Sequence, residues 1–267
     1  MKINLHTHTA RCGHACGTDE EYVLAAIEAG YDVLGFSDHT PFPYENGYHN
    51  DTKMTADQLD GYVASVLSLK EKYRDKIQIL LGLECESVPR FFPWLKEISR
   101  DMDYLILGNH GDWSIGEPYP GQVNDRASLE KYLQTAVDAM ESGLFLYLAH
   151  PDLVLTAYPT FDADAEWVSR QLCREANRCG LPVEYNLYGV LKGHGPKNLG
   201  YPCEKFWQIA AEENVRAVVG VDAHKPEHML QDLGFYQRKL ESMGITVLHD
   251  PRDAKKTSCQ SRNNRLK

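Results

Sequence analysis

The chain has 267 residues, 43% of them hydrophobic, 10% aromatic and 25% charged, which excludes a fibrous or largely disordered polymer and suits one large domain. Its 38 Asp and Glu against 28 Lys and Arg give a formal charge of −10, a field that repels phosphate backbones and argues against nucleic-acid binding. No run approaches the roughly 20 apolar residues of a membrane span, and Met1 to Asn4 leads directly into a polar, His-rich stretch with no signal-peptide core, so the expectation is a cytoplasmic protein that meets no membrane.

In chain order, Lys2 to Leu5 reads as a first strand. Thr18 with Glu21 forms a capping box, Tyr22 to Glu28 supplies an apolar helical stripe, and Gly30 stops the helix. Further strands are expected at Asp32 to Phe36, Ile77 to Leu83, Tyr104 to Leu107, Leu144 to Leu148, Pro182 to Tyr185 and Val215 to Val221. Helical patterns fall at Ala56 to Arg74, Ser128 to Ser142, Ala163 to Cys179 and Cys203 to Glu213, with a closing helix at Met229 to Met243 and a short terminal strand at Ile245 to Leu248. Strand–helix alternation calls for a parallel sheet, which a doubly wound sheet or a closed barrel would satisfy. The Gly-rich turn of a dinucleotide fold is missing after the first strand, where His6-Thr7-His8 stands instead, and this favours a barrel over residues 1–250. Residues 251–267 read as a polar, mobile tail. Seven scattered cysteines, an odd number in a chain able to bury its own core, read as reduced thiols. Cys12 and Cys16 lie among histidines, but no second Cys pair completes a structural zinc spacing, so packing is the favoured role.

Metal-capable side chains follow the strands. His6 and His8 close the first, Asp38 and His39 the second, Glu84 the third, His110 the fourth, His150 the fifth, and Asp222 with His224 the seventh. Parallel strand ends share one rim, where barrel enzymes build their sites. The pairs His6/His8 and Asp222/His224 are two apart, so the strand period turns each pair to one side. A single histidine is more often an ordinary hydrogen-bonded residue than a ligand, but six of the 11 histidines fall at strand ends. His14, in the loop after the first strand, can fold back over the rim, whereas His249 is read as surface and His49 as a loop contact with substrate. Imidazole and carboxylate together suit zinc, manganese or iron(II) rather than calcium or magnesium.

The motifs HTH at 6–8, SDHTPF at 37–42, GLE at 82–84, GNH at 108–110, AHP at 149–151 and DAH at 222–224 occur in one order over most of the chain. In this the sequence resembles the polymerase and histidinol phosphatase (PHP) phosphoesterases, with DHTPFP and the stretch Glu184 to Lys192 most similar to the histidinol-phosphatase branch. The resemblance implies a distorted, TIM-like (β/α)7 barrel and two or three divalent ions. His6, His8, Glu84 and Asp222 would surround the first, Glu84, His110 and His150 the second, and His14, His39 and His224 the third, with Glu84 bridging. It implies hydrolysis of a small phosphate monoester, most simply L-histidinol phosphate in histidine biosynthesis, by water activated between metals that also spread the phosphoryl charge. Glu84, Asp38 and His224 are the candidate catalytic residues, the latter two as donors to the leaving alkoxide. Arg11, Lys192 in the loop after the sixth strand, and Lys225 directly after the seventh-strand residues are the candidate phosphate cations. Leu191 stands where that branch commonly has Arg, and Asn109 where a small or apolar residue is usual, which leaves the leaving group open.

Rival readings are an amidohydrolase barrel, a family nuclease or a phosphoesterase for another metabolite or nucleotide, and a non-catalytic metal-binding accessory protein. Occupation of all nine ligand positions speaks for turnover. The expected assembly is a monomer or homodimer, and Pro41 to Tyr44 is a candidate lid.

Overall fold

Strands and helices alternate around a parallel wall in the computed structural model, which describes residues 1–45, 47–122, 124–193 and 198–254. Strands β1 (Ile3–Asn4), β2 (Val33–Phe36), β3 (Gln78–Cys85) and β4 (Tyr104–Leu107) pair in that order, and β5 (Val183–Asn186) pairs with β6 (Ala217–Gly220), all parallel. Leu148 joins the two sheets by bridging Leu107 on one side and Val183 on the other, and Thr7 against Ala223 closes β6 onto β1. The result is a distorted barrel wrapped by α1 (Asp19–Glu28), α2 (Leu59–Lys72), α3 (Phe92–Ile98), α4 (Arg126–Ser142), α5 (Ala163–Cys179), α6 (Leu187–Lys192), α7 (Glu204–Glu212) and α8 (Leu233–Ser242).

The capping box at Thr18 and Glu21 is formed, and α4 and α5 stop at Gly143 and Gly180 in the left-handed conformation that glycine adopts without a Cβ penalty. Four expectations are corrected. Leu144 to Leu148 makes an isolated bridge in place of a regular strand. The closing helix begins at Leu233, because Pro226–Leu230 forms a separate 3-10 turn. Lys192, read as a loop residue, ends the short helix α6. Ile245 to Leu248 likewise forms no regular strand: Val247 makes an isolated bridge to Ala217. Pro251 and Ala254 are buried, so the tail region starts packed, whereas 255–267, including Cys259, and His194 lie outside the described residues. The six described cysteines are all free, and no helix among the described residues is long and apolar enough to cross a membrane.

Alternation along the strands sorts two cores. Leu34, Phe36, Ile79, Leu81, Leu105 and Leu107 face the helices, whereas Ile3, Leu5, Val33, Leu80, Tyr104 and Ile106 form a separate cluster inside the barrel. Tyr104 spans that interior: its hydroxyl donates to the carbonyls of Leu5 at 2.8 Å and Phe36 at 2.9 Å. Its ring occupies space that a Cβ on Gly35 or Gly82 would take. This filled floor supports the rim above it.

Candidate metal centre

Of the side chains singled out at strand ends, His8, His39, Glu84, His110, His150, Asp222 and His224 line one cavity of about 90 Å³, with His14 beside them and His6 behind Glu84 and Asp222. His8 Nε2 lies 3.0 Å from Asp222 Oδ1 and 3.4 Å from Glu84 Oε2. His6 Nε2 lies 3.4 Å from Asp222 Oδ1 and 3.6 Å from Glu84 Oε1. Glu84 is the hub: its Oε1 is 2.9 Å from His150 Nε2 and 3.9 Å from His110 Nε2, and its Oε2 is 3.0 Å from His39 Nδ1. One carboxylate thus serves two groups of imidazoles through its two oxygens. Gly108 permits this approach, since a Cβ there would meet both Glu84 and His110. Asn109, His150 and Asp222 all have positive φ, of 53°, 29° and 53°, a strain of about 1–3 kcal/mol each for a non-glycine residue, typical of functional sites.

The ligand atoms gather into overlapping sets within 4.8 Å: His6, His8 and Asp222; His6, Glu84 and His150; His8, His39 and His224; His39, Glu86 and His110. The first holds three of the four residues expected together. In the second, His6 stands where His110 was expected, and in the third His8 stands where His14 was expected. Cys12 lies within the same distance of His8 and Asp38, so a buried thiol adjoins the cage as well as packing.

Burial opposes charge on His6, but the carboxylates of Glu184, Asp222 and Glu84 outweigh it and hold its pKa well above the usual imidazole range. Burial, with the positive neighbour His8, pushes His224 down to about 3, and burial holds His39 well below its ordinary value. Glu84 and Asp222 are buried yet held well below the usual carboxylate range by the surrounding histidines. The acids demand positive charge that the crowded rings cannot all supply as protons. Among buried atoms without a hydrogen-bond partner are His6 Nε2, His39 Nδ1, Glu84 Oε2 and Asp222 Oδ1, each costly to leave so in a protein interior. His14 donates its Nδ1 proton to the Cys12 carbonyl at 2.9 Å, and His224 donates its own to the Asp222 carbonyl at 3.0 Å. Their Nε2 lone pairs then face one another at 3.0 Å. Two acceptors so placed want a cation, and this donor set fits divalent metal ions.

Not every predicted residue arrives. Asp38, a candidate catalytic acid, lies behind His8 and outside the cavity, accepting from the Thr9 hydroxyl and from His39 N–H at 2.8 Å, with His8 Nδ1 at 3.4 Å. Arg11 turns away to Asp19 at 2.8 Å. Lys225 is exposed and does not line the cavity. Lys192 does, its Nζ 4.4 Å from the Tyr188 ring centre. His49 pairs with Asp51 at 3.2 Å and lines a separate cavity, and His249 pairs with Glu241 at 3.0 Å. Phe42 is buried and stacked on Phe91 at 5.2 Å, so this part of the candidate lid is packed wall. Leu191 is half exposed, and the Asn109 amide donates to the Tyr132 carbonyl at 3.1 Å; neither lines the cavity.

Sequence reasoning passed over the groups behind the cage. Glu86 accepts from both the backbone and Nδ1 of His110 and pairs with buried Lys53. Glu184 accepts from His6 Nδ1 at 2.8 Å. The signals were faint: an acid two residues beyond Glu84, and a lone acid inside an apolar strand. Tyr119, Tyr188 and Tyr201, also passed over, line the mouth.

Residues 4–186 match the PHP domain. The chain is 31% identical over 229 residues to the "Probable histidinol-phosphatase" of Deinococcus radiodurans, covering 83% of this chain and 85% of that protein. It is 23% identical over 257 residues to the histidinol-phosphatase of Bacillus subtilis, covering 84% of this chain and 94% of that one. Its fold superposes with a TM-score of 0.70, at 17% identity and covering 92% and 95% of the two chains, on the Lactococcus lactis histidinol phosphate phosphatase complexed with zinc, L-histidinol and phosphate.

Proposed function

Because the chain belongs to the PHP domain family, we propose that it is a metal-dependent phosphomonoesterase that hydrolyses L-histidinol phosphate to L-histidinol and phosphate. The relatives from D. radiodurans and B. subtilis carry that activity in their names, and the L. lactis enzyme is complexed with zinc, L-histidinol and phosphate. The observation that carries the reading is Glu84, one buried carboxylate set between two imidazole groups.

Zinc, manganese or iron(II) fits this donor set. His6, His8, Asp222 and Glu84 would hold one ion, Glu84 with His150 and His110 a second, and His224, His39 and His14 a third. Bound there, such ions lower the pKa of water and neutralise charge developing on a phosphoryl group. The chain's own residues do the rest. Glu84 offsets the accumulated positive charge, and Lys192 at the mouth meets the phosphate dianion. Tyr119, Tyr188 and Tyr201 enclose the leaving group and exclude water. Asp38 holds His8 from behind, a positioning task and not proton donation, and His224 acts as a neutral ligand.

The test is phosphate release by protein loaded with each metal in turn, from L-histidinol phosphate and from a generic aryl phosphate. A strong preference for L-histidinol phosphate, lost together with bound metal in Glu84→Ala, is expected. Equal turnover of both esters overturns the substrate assignment; full activity after exhaustive chelation overturns the metal-dependent mechanism.

A further inference from the structure

We propose that Glu184 is a positioning residue that fixes the tautomer of His6, so that the Nε2 lone pair of His6 faces the cage. The inference rests on the reading that metal ions occupy that cage. Glu184 and His6 are both fully buried, the acid in β5 beneath the ring. His6 Nδ1 lies 2.8 Å from Glu184 Oε1 and 3.1 Å from Oε2. Oε2 also accepts from the His150 backbone N–H at 3.2 Å and from Asn186 Nδ2 at 2.9 Å. A carboxylate among these donors offers only lone pairs, so the ring proton sits on Nδ1. Nε2 is left without a hydrogen-bond partner and points toward Asp222 Oδ1 and Glu84 Oε1.

The same unit sets Asp222. The Asn186 amide cannot turn over, because its oxygen accepts from Gly189 N–H at 3.0 Å where α6 begins. Its nitrogen therefore reaches from Glu184 to Asp222 Oδ2 at 3.1 Å, leaving Asp222 Oδ1 to the cage. Gly220 on β6 completes the arrangement: a Cβ there would overlap the Glu184 carboxylate. β5 thus supplies no predicted ligand, yet it controls the orientation of ligands at the ends of β1 and β6. Carboxylates that fix a ligand histidine in this way typically contribute about 10–100-fold to metal affinity.

Glu184→Gln discriminates. Its amide oxygen is required where the His150 N–H and Asn186 donate, so its NH2 is set against His6 Nδ1 and the ring proton moves to Nε2, into the cage. Zinc affinity, read by competition with a chromophoric chelator, should fall about 10–100-fold while the far-UV circular dichroism is unchanged. Gly220→Ala, which displaces the carboxylate without changing its chemistry, should weaken zinc in the same direction. In zinc-loaded wild-type protein with 15N-labelled histidine, His6 should show a slowly exchanging, far-downfield Nδ1 proton. Its absence, or zinc affinity in Glu184→Gln within twofold of wild type, overturns the proposal. If Glu184→Gln does not fold, the wild-type Nδ1 proton decides. A wild type that takes up no zinc, manganese or iron(II) sinks the metal-dependent reading as well, whereas normal uptake by the variant sinks this inference alone.

Discussion

Lys192 is the one Lys or Arg among the described residues that lines the cavity, and its ammonium rests over the Tyr188 ring beside the space an anion would take. A hydrogen bond to a charged group contributes about 1.5–3 kcal/mol, and the lower end applies at an exposed mouth. Lys192→Ala should therefore raise KM for a phosphate monoester about tenfold, with kcat little changed, because the contact is made equally in ground and transition states. Steady-state kinetics decide; an unchanged KM removes Lys192 from the phosphate site. Most of the candidate ligands were legible in the sequence because they sit at or next to a strand end, where a two-residue period and a shared rim fix their direction, whereas His14 stands in a loop that no period orients. Asp38 shows the limit of that reasoning. It too sits at a strand end, yet it turns to Thr9 and the backbone of His39. Arg11 likewise found Asp19, an ion pair that spacing alone did not announce. Which neighbour a side chain chooses is a tertiary fact.

The segment between β2 and α2 is held to the barrel by a buried ion pair, Lys53 on Glu86, and Glu86 in turn holds His110. Both charges are nearly inaccessible to water. Removing one partner leaves the other uncompensated, which costs about 3–5 kcal/mol. Lys53→Met should lower the unfolding free energy by that amount in urea titrations of the intact protein, and a loss below about 1 kcal/mol, the level of an exposed pair, would show that the pair is solvated. Longer elements were readable from periodicity and caps, and α5 spans Ala163–Cys179 as its pattern predicted. The segment Leu144 to Leu148 failed as a strand for two local reasons. Leu148 makes both bonds of a parallel bridge, its N–H to the Pro182 carbonyl and its carbonyl to the Glu184 N–H. The ladder cannot extend downward, because Pro182 has no N–H to donate. Upward, His150 has positive φ and gives its N–H to the Glu184 side chain. Helices α3 and α6, of 7 and 6 residues, are too short to show a hydrophobic period.

At the scale of the whole molecule, closure and chemistry share residues. The bonds that seal the wall run from Ala223 N–H to the His6 carbonyl and from His8 N–H to the Ala223 carbonyl, inside the two motifs that supply candidate ligands. Alternation of strands and helices made the barrel legible, but the brevity of β1, two residues long, hid how much of its closure depends on the rim. Candidate ligands come from the ends of β1, β2, β4 and β6, from within β3 and from beside the Leu148 bridge, so ions bound there would staple most of the wall at once. A ligand that binds only the folded chain stabilises it by about 4 kcal/mol at a free concentration 1,000 times its Kd. For a domain of this size, each kcal/mol moves Tm by about 2–4 °C. Stripping the protein with a chelator should therefore lower Tm by roughly 8–16 °C, and dialysis followed by added zinc should restore it. The stripped barrel should be further weakened by low ionic strength, since an acidic chain of charge −10 then repels itself most strongly. A melting curve indifferent to chelation in calorimetry would mean that the clustered imidazoles and carboxylates satisfy one another without ions.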